Sequence, residues 1–75
     1  MYSKIKVLKR IDELVSKKST GPPAELARKL GLSERSIYEY IRLMKELDAP
    51  ILYSRARKSY FYKNEGQFTI SFVPN

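Results

Sequence analysis

The sequence predicts a small α+β domain in which three helices precede an antiparallel sheet of two or three strands. Two observations predict this order. Through residues 3–48, apolar side chains recur at intervals of three and four, the period of a helix buried along one side. After Pro50 the composition changes to β-branched and aromatic residues, which favour strands. The length of 75 residues suits one such domain, so we expect a single domain over residues 1–75.

The first helix is expected over about residues 3–18. Six apolar side chains lie at helical spacing or beside that series: Ile5, Val7, Leu8, Ile11, Leu14 and Val15. Together they cover about half of the circumference, more than the ~100° stripe that one core contact needs. We therefore expect this helix to be covered on two sides.

The second helix is expected over about residues 23–30. It follows the breaker cluster Ser19–Pro23, and a proline suits a first helical turn because its missing N–H would be unpaired there. Gly31 ends the helix, since glycine has no Cβ and therefore takes the left-handed conformation without strain. The predicted buried side chains are Leu26, Ala27 and Leu30.

The third helix is expected over about residues 34–48, with Ser33 as its N-cap and Pro50 closing it. Its apolar face is predicted to contain Ile37, Tyr40, Ile41, Met44 and Leu47. The opposite face carries Arg35, Glu39, Arg42 and Glu46.

A hairpin is expected over about residues 51–62, where two aromatic-rich strands flank a basic turn. Because Ser54–Ser59 contains no glycine, and a positive φ is costly for Ala or Lys, the turn must be longer than two residues. Residues 67–73 alternate with period two, as a half-buried strand would.

The composition limits the chemistry. Fifteen Lys and Arg against eight Asp and Glu give a net charge of +7, which favours an anionic partner, either nucleic acid or an anionic membrane surface. The chain contains no Cys and no His, so disulfides, thiolate zinc sites and histidine general bases are excluded. We expect no metal and no cofactor.

Other classes of protein find little support. Asp12 and Glu13 are adjacent and would diverge by about 100° on a helix, so they cannot act as a carboxylate pair. The sequence contains no phosphate-binding glycine loop and no nucleophile elbow, and we expect no enzymatic activity. Residues 1–10 lack the apolar run of a secretory signal, and no stretch approaches ~18 apolar residues. We expect a cytoplasmic protein without a membrane partner, and no small-molecule effector is evident.

From Pro23 to Tyr40 the chain resembles a helix-turn-helix. That pattern needs a small residue where two helices cross at a steep angle, a turn residue that tolerates positive φ, and a shared core. Ala27 and Gly31 fill the first two positions. The apolar positions are filled by Leu26, Leu30, Leu32, Ile37 and Tyr40.

Residues 49–62 look like the wing of winged helix-turn-helix domains, in particular the type found in bacterial repressors related to the biotin repressor and the deoxyribose-operon repressor. The resemblance covers about residues 3–63 and does not explain residues 67–75. It implies sequence-specific binding of double-stranded DNA, in transcription regulation, with the third helix in the major groove and the wing on the backbone or in the minor groove.

The resemblance also implies the contact residues. The base-reading candidates on the third helix are Arg35, Ser36, Tyr38, Glu39 and Arg42. The candidates for the DNA backbone or the minor groove are Ser33, Arg55, Arg57, Lys58, Lys17 and Lys18. The two arginines of the helix are the best base readers, because a guanidinium can bond O6 and N7 of guanine together. Backbone N–H groups near Ala24 and Glu25 are further candidates for phosphate.

Simpler interpretations remain beside these. The spacing of Arg35, Glu39, Arg42 and Glu46 also suits a ladder of exposed ion pairs. Tyr38 could be half-buried packing, and the aromatic residues of the hairpin (Tyr53, Tyr60, Phe61 and Tyr62) favour core over base stacking. Two alternative functions follow: a winged helix used as a protein-interaction module, or binding of RNA or single strands.

The oligomeric state has two interpretations. The wide apolar stripe of helix one and the apolar face of residues 67–73 both need a cover. Either the C-terminal strand covers helix one within the chain, or a homodimer forms through helix one, the C-terminal strand or both. We favour the homodimer, because one small domain reads few base pairs.

Overall fold

The computed structural model describes residues 3–64 and 66, and within them the predicted α+β order is confirmed. The elements are α1 (Lys4–Ser16), α2 (Pro23–Leu30), α3 (Glu34–Glu46), β1 (Ile51–Ser54) and β2 (Ser59–Tyr62). In the described residues the sheet is a two-stranded antiparallel hairpin. The strand predicted over residues 67–73 lies outside the described residues.

The helices begin as the sequence predicts. Ser33 caps α3, since its Oγ accepts a hydrogen bond of 3.1 Å from the backbone N–H of Ser36. Ser3 caps α1 in the same way, with Lys6 N donating to its Oγ at 3.2 Å. Pro23 occupies the first position of α2.

Each of the three helices ends in a Schellman motif, in which the residue after the last turn takes the left-handed conformation. Gly31 supplies it after α2, with φ of 66°, as predicted. Lys18 and Asp48 supply it after α1 and α3, with φ of 55° and 71°. In α3, Ala49 N donates to the carbonyl of Met44 at 3.0 Å and closes the motif.

The predicted end of α3 is therefore wrong by two residues, because the left-handed backbone at Asp48 cannot continue the helix. Leu47 stands in the cap, and its side chain is 52% exposed instead of lying on the buried face. The α1 helix is likewise shorter than predicted, ending at Ser16.

Replacing Asp48 with glycine should stabilise the domain by about 0.5–1 kcal/mol. Glycine relieves the left-handed strain, and the change removes a carboxylate from the negative end of α3, while greater freedom of the unfolded chain offsets part of the gain. Urea unfolding measures the difference. Lys45→Gly, inside the last helical turn, is the control and should cost about 1 kcal/mol. Equal effects at both positions would contradict the capping explanation.

The core lies between the helices and the hairpin. Its buried side chains are Val7, Leu8, Ile11, Leu14, Val15, Leu26, Ala27, Leu30, Ile37, Ile41, Met44, Ala49, Ile51 and Tyr60. Leu32, Tyr40 and Tyr62 pack against it while partly buried.

The wide apolar stripe of α1 is buried almost entirely. Val7 and Leu14, the residues that widened it, are both in the core. Ile5 departs from the prediction, with a side chain that is 52% exposed, because it lies about 120° around the helix from Ile11. Helix one therefore leaves much less apolar surface for a second copy than its sequence indicates.

The wing is the hairpin of residues 51–62. Tyr53 pairs with Tyr60 and Ser54 with Ser59, so four residues, 55–58, form the turn, longer than two residues as predicted. The backbone N–H of Arg57 donates to Ser54 Oγ at 3.1 Å, and Lys58 takes the left-handed conformation with φ of 53°. The chain thus turns without glycine by placing a lysine at positive φ.

Candidate nucleic-acid interface

One side of α3 is exposed and carries the predicted base readers. At about 100° per residue, Tyr38, Arg42, Arg35 and Glu39 fall within about 100° of arc, opposite the buried face. All four are exposed. Ser36 lies on the flank of this face, half-buried, and its Oγ accepts a hydrogen bond of 3.0 Å from Ser33 Oγ. The hydroxyl groups of Ser33 and Ser36 therefore both take part in the N-terminal cap of α3.

The ion-pair interpretation holds for one pair. Arg35 Nε lies 3.5 Å from Glu39 Oε1, and the two side chains are 90% and 65% exposed. Such an exposed pair contributes a few tenths of a kcal/mol and is easily exchanged for another partner. Within residues 3–64 no ion pair forms at Arg42 or at Glu46. Arg42 is thus the less engaged of the two arginines.

The turn of the wing carries a cluster of positively charged side chains. Arg55, Arg57 and Lys58 occupy three of its four positions, and all are exposed. In the described part of the chain none of them has an acidic partner. Three exposed cations on one turn suit contact with a phosphate backbone or a narrow minor groove.

Two buried hydroxyl groups fix the wing to the loop before α2. Thr20 and Ser59 are 0% and 1% exposed. Thr20 N donates to Ser59 Oγ at 3.0 Å, and Tyr60 N donates to Thr20 Oγ1 at 2.8 Å. The two hydroxyls also lie 3.0 Å apart, and the single proton of each can be donated either to the other hydroxyl or to a nearby carbonyl, that of Gly21 for Thr20 and that of Tyr60 for Ser59. Sequence reasoning assigned no role to this pair, because Thr20 stood in a cluster of turn residues.

A second connection joins the base of the wing to α1. Tyr62 Oη donates to Asp12 Oδ1 at 2.6 Å. Burial raises the pKa of Tyr62, and the hydrogen bond to the carboxylate raises it further. The phenol therefore remains protonated and donating at neutral pH, which holds β2 against the helix.

Three tyrosines lie where α3 meets the wing. The rings of Tyr53 and Tyr60 pack edge to face with centroids 5.0 Å apart. Burial raises the pKa of Tyr60, and electrostatic interaction with Tyr38 and then with Tyr53 adds to it. Tyr60 is in the core, whereas Tyr38 and Tyr53 are 51% and 38% exposed. Tyr38 is thus about half exposed, as the half-buried interpretation expects, whereas Tyr53 is not the core residue that its strand position predicted.

The packing of α3 against the hairpin determines which of the predicted site residues lie close together. Tyr38 shares the exposed face of α3 with Arg35 and Arg42, and α3 packs against β1, the strand that carries Tyr53. The helix that carries the exposed face therefore lies against the first strand of the wing.

Lys17 and Lys18 lie elsewhere, at the end of α1. Lys18 lines a cleft of about 410 Å³ with Lys63 and Asn64, which follow β2 at the end of the hairpin opposite its turn. Contact of these two lysines with the DNA backbone stays a prediction. The N-terminus of α2 has an acidic neighbour, since Glu25 folds close to Gly21. Its carboxylate competes with a phosphate for the positive end of that helix.

Three helices, a left-handed glycine between the second and third, and a basic hairpin packed against the third define a winged helix-turn-helix arrangement. A family model described as an HTH domain matches residues 6–63, and the chain belongs to this family of DNA-binding helix-turn-helix domains. No curated protein and no solved structure matches the chain. None of the described helices has the length and apolar character needed to cross a bilayer.

Proposed function

We propose that this domain binds duplex DNA sequence-specifically and regulates transcription in the cytoplasm. In this proposal α3 enters the major groove, where Arg35 and Arg42 read guanine, and the wing contacts the backbone or the adjacent minor groove. One observation carries the proposal: α3, with Arg35 and Arg42 on its exposed face, packs against the first strand of a hairpin whose turn carries three cations without an acidic partner in the described part of the chain. A protein-interaction surface of this composition would require an acidic partner, whereas duplex DNA presents negative charge along its whole length.

The remaining predicted contacts fit with smaller roles. Glu39 pairs with Arg35 and can orient that guanidinium or accept from cytosine N4. The Oγ of Ser33 lies at the start of α3, where a phosphate can approach the helix N-terminus.

Selection from a random duplex library tests the proposal directly. An enriched sequence supports specific recognition, and enrichment of nothing contradicts it in favour of a protein partner. The same selection tests the homodimer, since two-fold copies should enrich a repeated half-site about one helical turn apart. With the stripe of α1 buried, a homodimer depends chiefly on residues 67–73, which lie outside the described residues.

Reading of bases and contact with phosphates are separated by single substitutions. Arg42→Ala should weaken binding to the selected sequence by about 1–3 kcal/mol and relax the preference at one base pair, because a bidentate contact to guanine is lost. Arg57→Ala is the matched control: it should weaken selected and scrambled duplexes equally. Fluorescence anisotropy with both duplexes measures this. Equal losses on both duplexes for Arg42→Ala would show that α3 does not read bases.

A further inference from the structure

The tyrosines between α3 and the wing have no role in the proposal above. Tyr38 belongs to the exposed face of α3, one helical turn before Arg42. Tyr53 belongs to β1, directly opposite Tyr60 in the hairpin. Both side chains are partly exposed, the ring of Tyr53 packs on the buried Tyr60, and α3 lies against β1.

The packing restrains Tyr53. Its ring meets the ring of Tyr60 at 69°, with the centroids 5.0 Å apart, and Tyr60 is held by its backbone N–H bond to the buried Thr20. An aromatic ring with two side-chain torsions and a buried neighbour loses little entropy when its hydroxyl binds a ligand. The surface between helix and wing thus presents two neutral phenols, of which that of Tyr53 is held by its packing on Tyr60.

The geometry of a duplex determines which part of the DNA this surface would contact. The major groove and the adjacent minor groove are separated by one phosphodiester strand. With α3 in the first groove and the turn of the wing at the second, the protein surface between them lies against that strand. A phenol O–H is a good donor to a phosphate oxygen, and phosphate contacts are often made by uncharged side chains.

Resting on the proposed function, we propose that Tyr38 and Tyr53 donate hydrogen bonds to the phosphate strand that runs between α3 and the wing. Tyr38 is then a contact to the backbone and not a base reader. Tyr53, which the sequence placed in the core, becomes part of the interface. The contacts fix how deeply the helix and the wing enter their grooves, and they do so without releasing counterions, because a phenol is neutral.

Substitutions of the two tyrosines should therefore differ in their effects both from those of the base-reading arginines and from those of the cations that bind phosphate. Tyr38→Phe and Tyr53→Phe keep the rings and remove only the hydroxyls. Each should weaken duplex binding about 3- to 10-fold, the effect of one hydrogen bond, and the double variant about 10- to 100-fold. The loss should be equal on selected and scrambled duplexes, unlike that of Arg42→Ala. The slope of log K against log salt should be unchanged, unlike that of Arg57→Ala.

Tyr40→Phe is the matched control. Tyr40 lies on the same helix, half-buried against the core, and the same atom is removed. It should leave duplex binding unchanged. Urea unfolding of the tyrosine variants verifies that the domain stays folded during the binding assay.

The outcomes separate the inference from the function on which it rests. If the wild-type domain fails to bind duplex DNA at low salt, the proposed function is overturned. If the wild type binds and the two Phe variants bind equally well, only the inference is overturned. A loss confined to the selected sequence would also overturn it, since Tyr38 would then contact a base.

Discussion

Raising the salt concentration from 50 to 200 mM should weaken duplex binding by about 500-fold. Five exposed cations lie on the face of α3 and on the turn of the wing: Arg35, Arg42, Arg55, Arg57 and Lys58. If each displaces about one condensed counterion, whether it bonds a phosphate or a base edge, log K falls against log salt with a slope of about −4.5, and a fourfold rise in salt gives this loss.

The same titration tests two further cations. Contact of Lys17 and Lys18 with phosphates would steepen the slope to about −6.3. Arg57→Ala should reduce the slope by about one, whereas Lys9→Ala, on the solvent side of α1, is the control and should leave it unchanged. Anisotropy titrations at four salt concentrations suffice. A slope near zero would exclude an interface formed by the wing cations.

Replacing Thr20 with valine should destabilise the domain by about 2–3 kcal/mol. Valine has the shape of threonine but cannot accept the hydrogen bond of Tyr60 N or partner Ser59 Oγ, and both groups are buried. A buried donor left without a partner costs about 1–3 kcal/mol, and here other bonds are lost with it. A domain of this length has a free energy of unfolding of about 4–11 kcal/mol, so the expected loss is a large fraction of its stability.

Thr20→Ser is the matched control, because it keeps the hydroxyl and removes one methyl group. It should cost about 1 kcal/mol. Urea unfolding of the three proteins measures both changes. If the valine variant is as stable as the wild type, the hydroxyl pair does not hold the wing.

Part of the interface was predictable from local sequence. Ser33 predicts the start of α3 because a cap depends on hydrogen bonds within four residues. Arg35 and Arg42 predict an exposed basic face because the apolar period of the same helix fixes the opposite side. The basic turn followed from three cations between two aromatic strands.

Other parts were not predictable from local sequence. Lys18 and Asp48 take the left-handed conformation although neither is a glycine, so the sequence does not mark these two helix ends. For this reason α1 and α3 were both predicted too long. The exposure of Tyr53 is decided by what packs over its face of the hairpin, and a strand pattern does not contain that information.

The sequence by itself determined three amphipathic helices, a glycine turn, a basic hairpin and hence membership of the helix-turn-helix family. Each of these depends on spacings and caps that act within a few residues. The tertiary structure alone decided that Thr20 pairs with Ser59, 39 residues away, that Tyr62 bonds Asp12, 50 residues away, and that α3 packs against β1. Such contacts form only when the whole core has packed, because the position of each partner is fixed by elements distant from it in the chain.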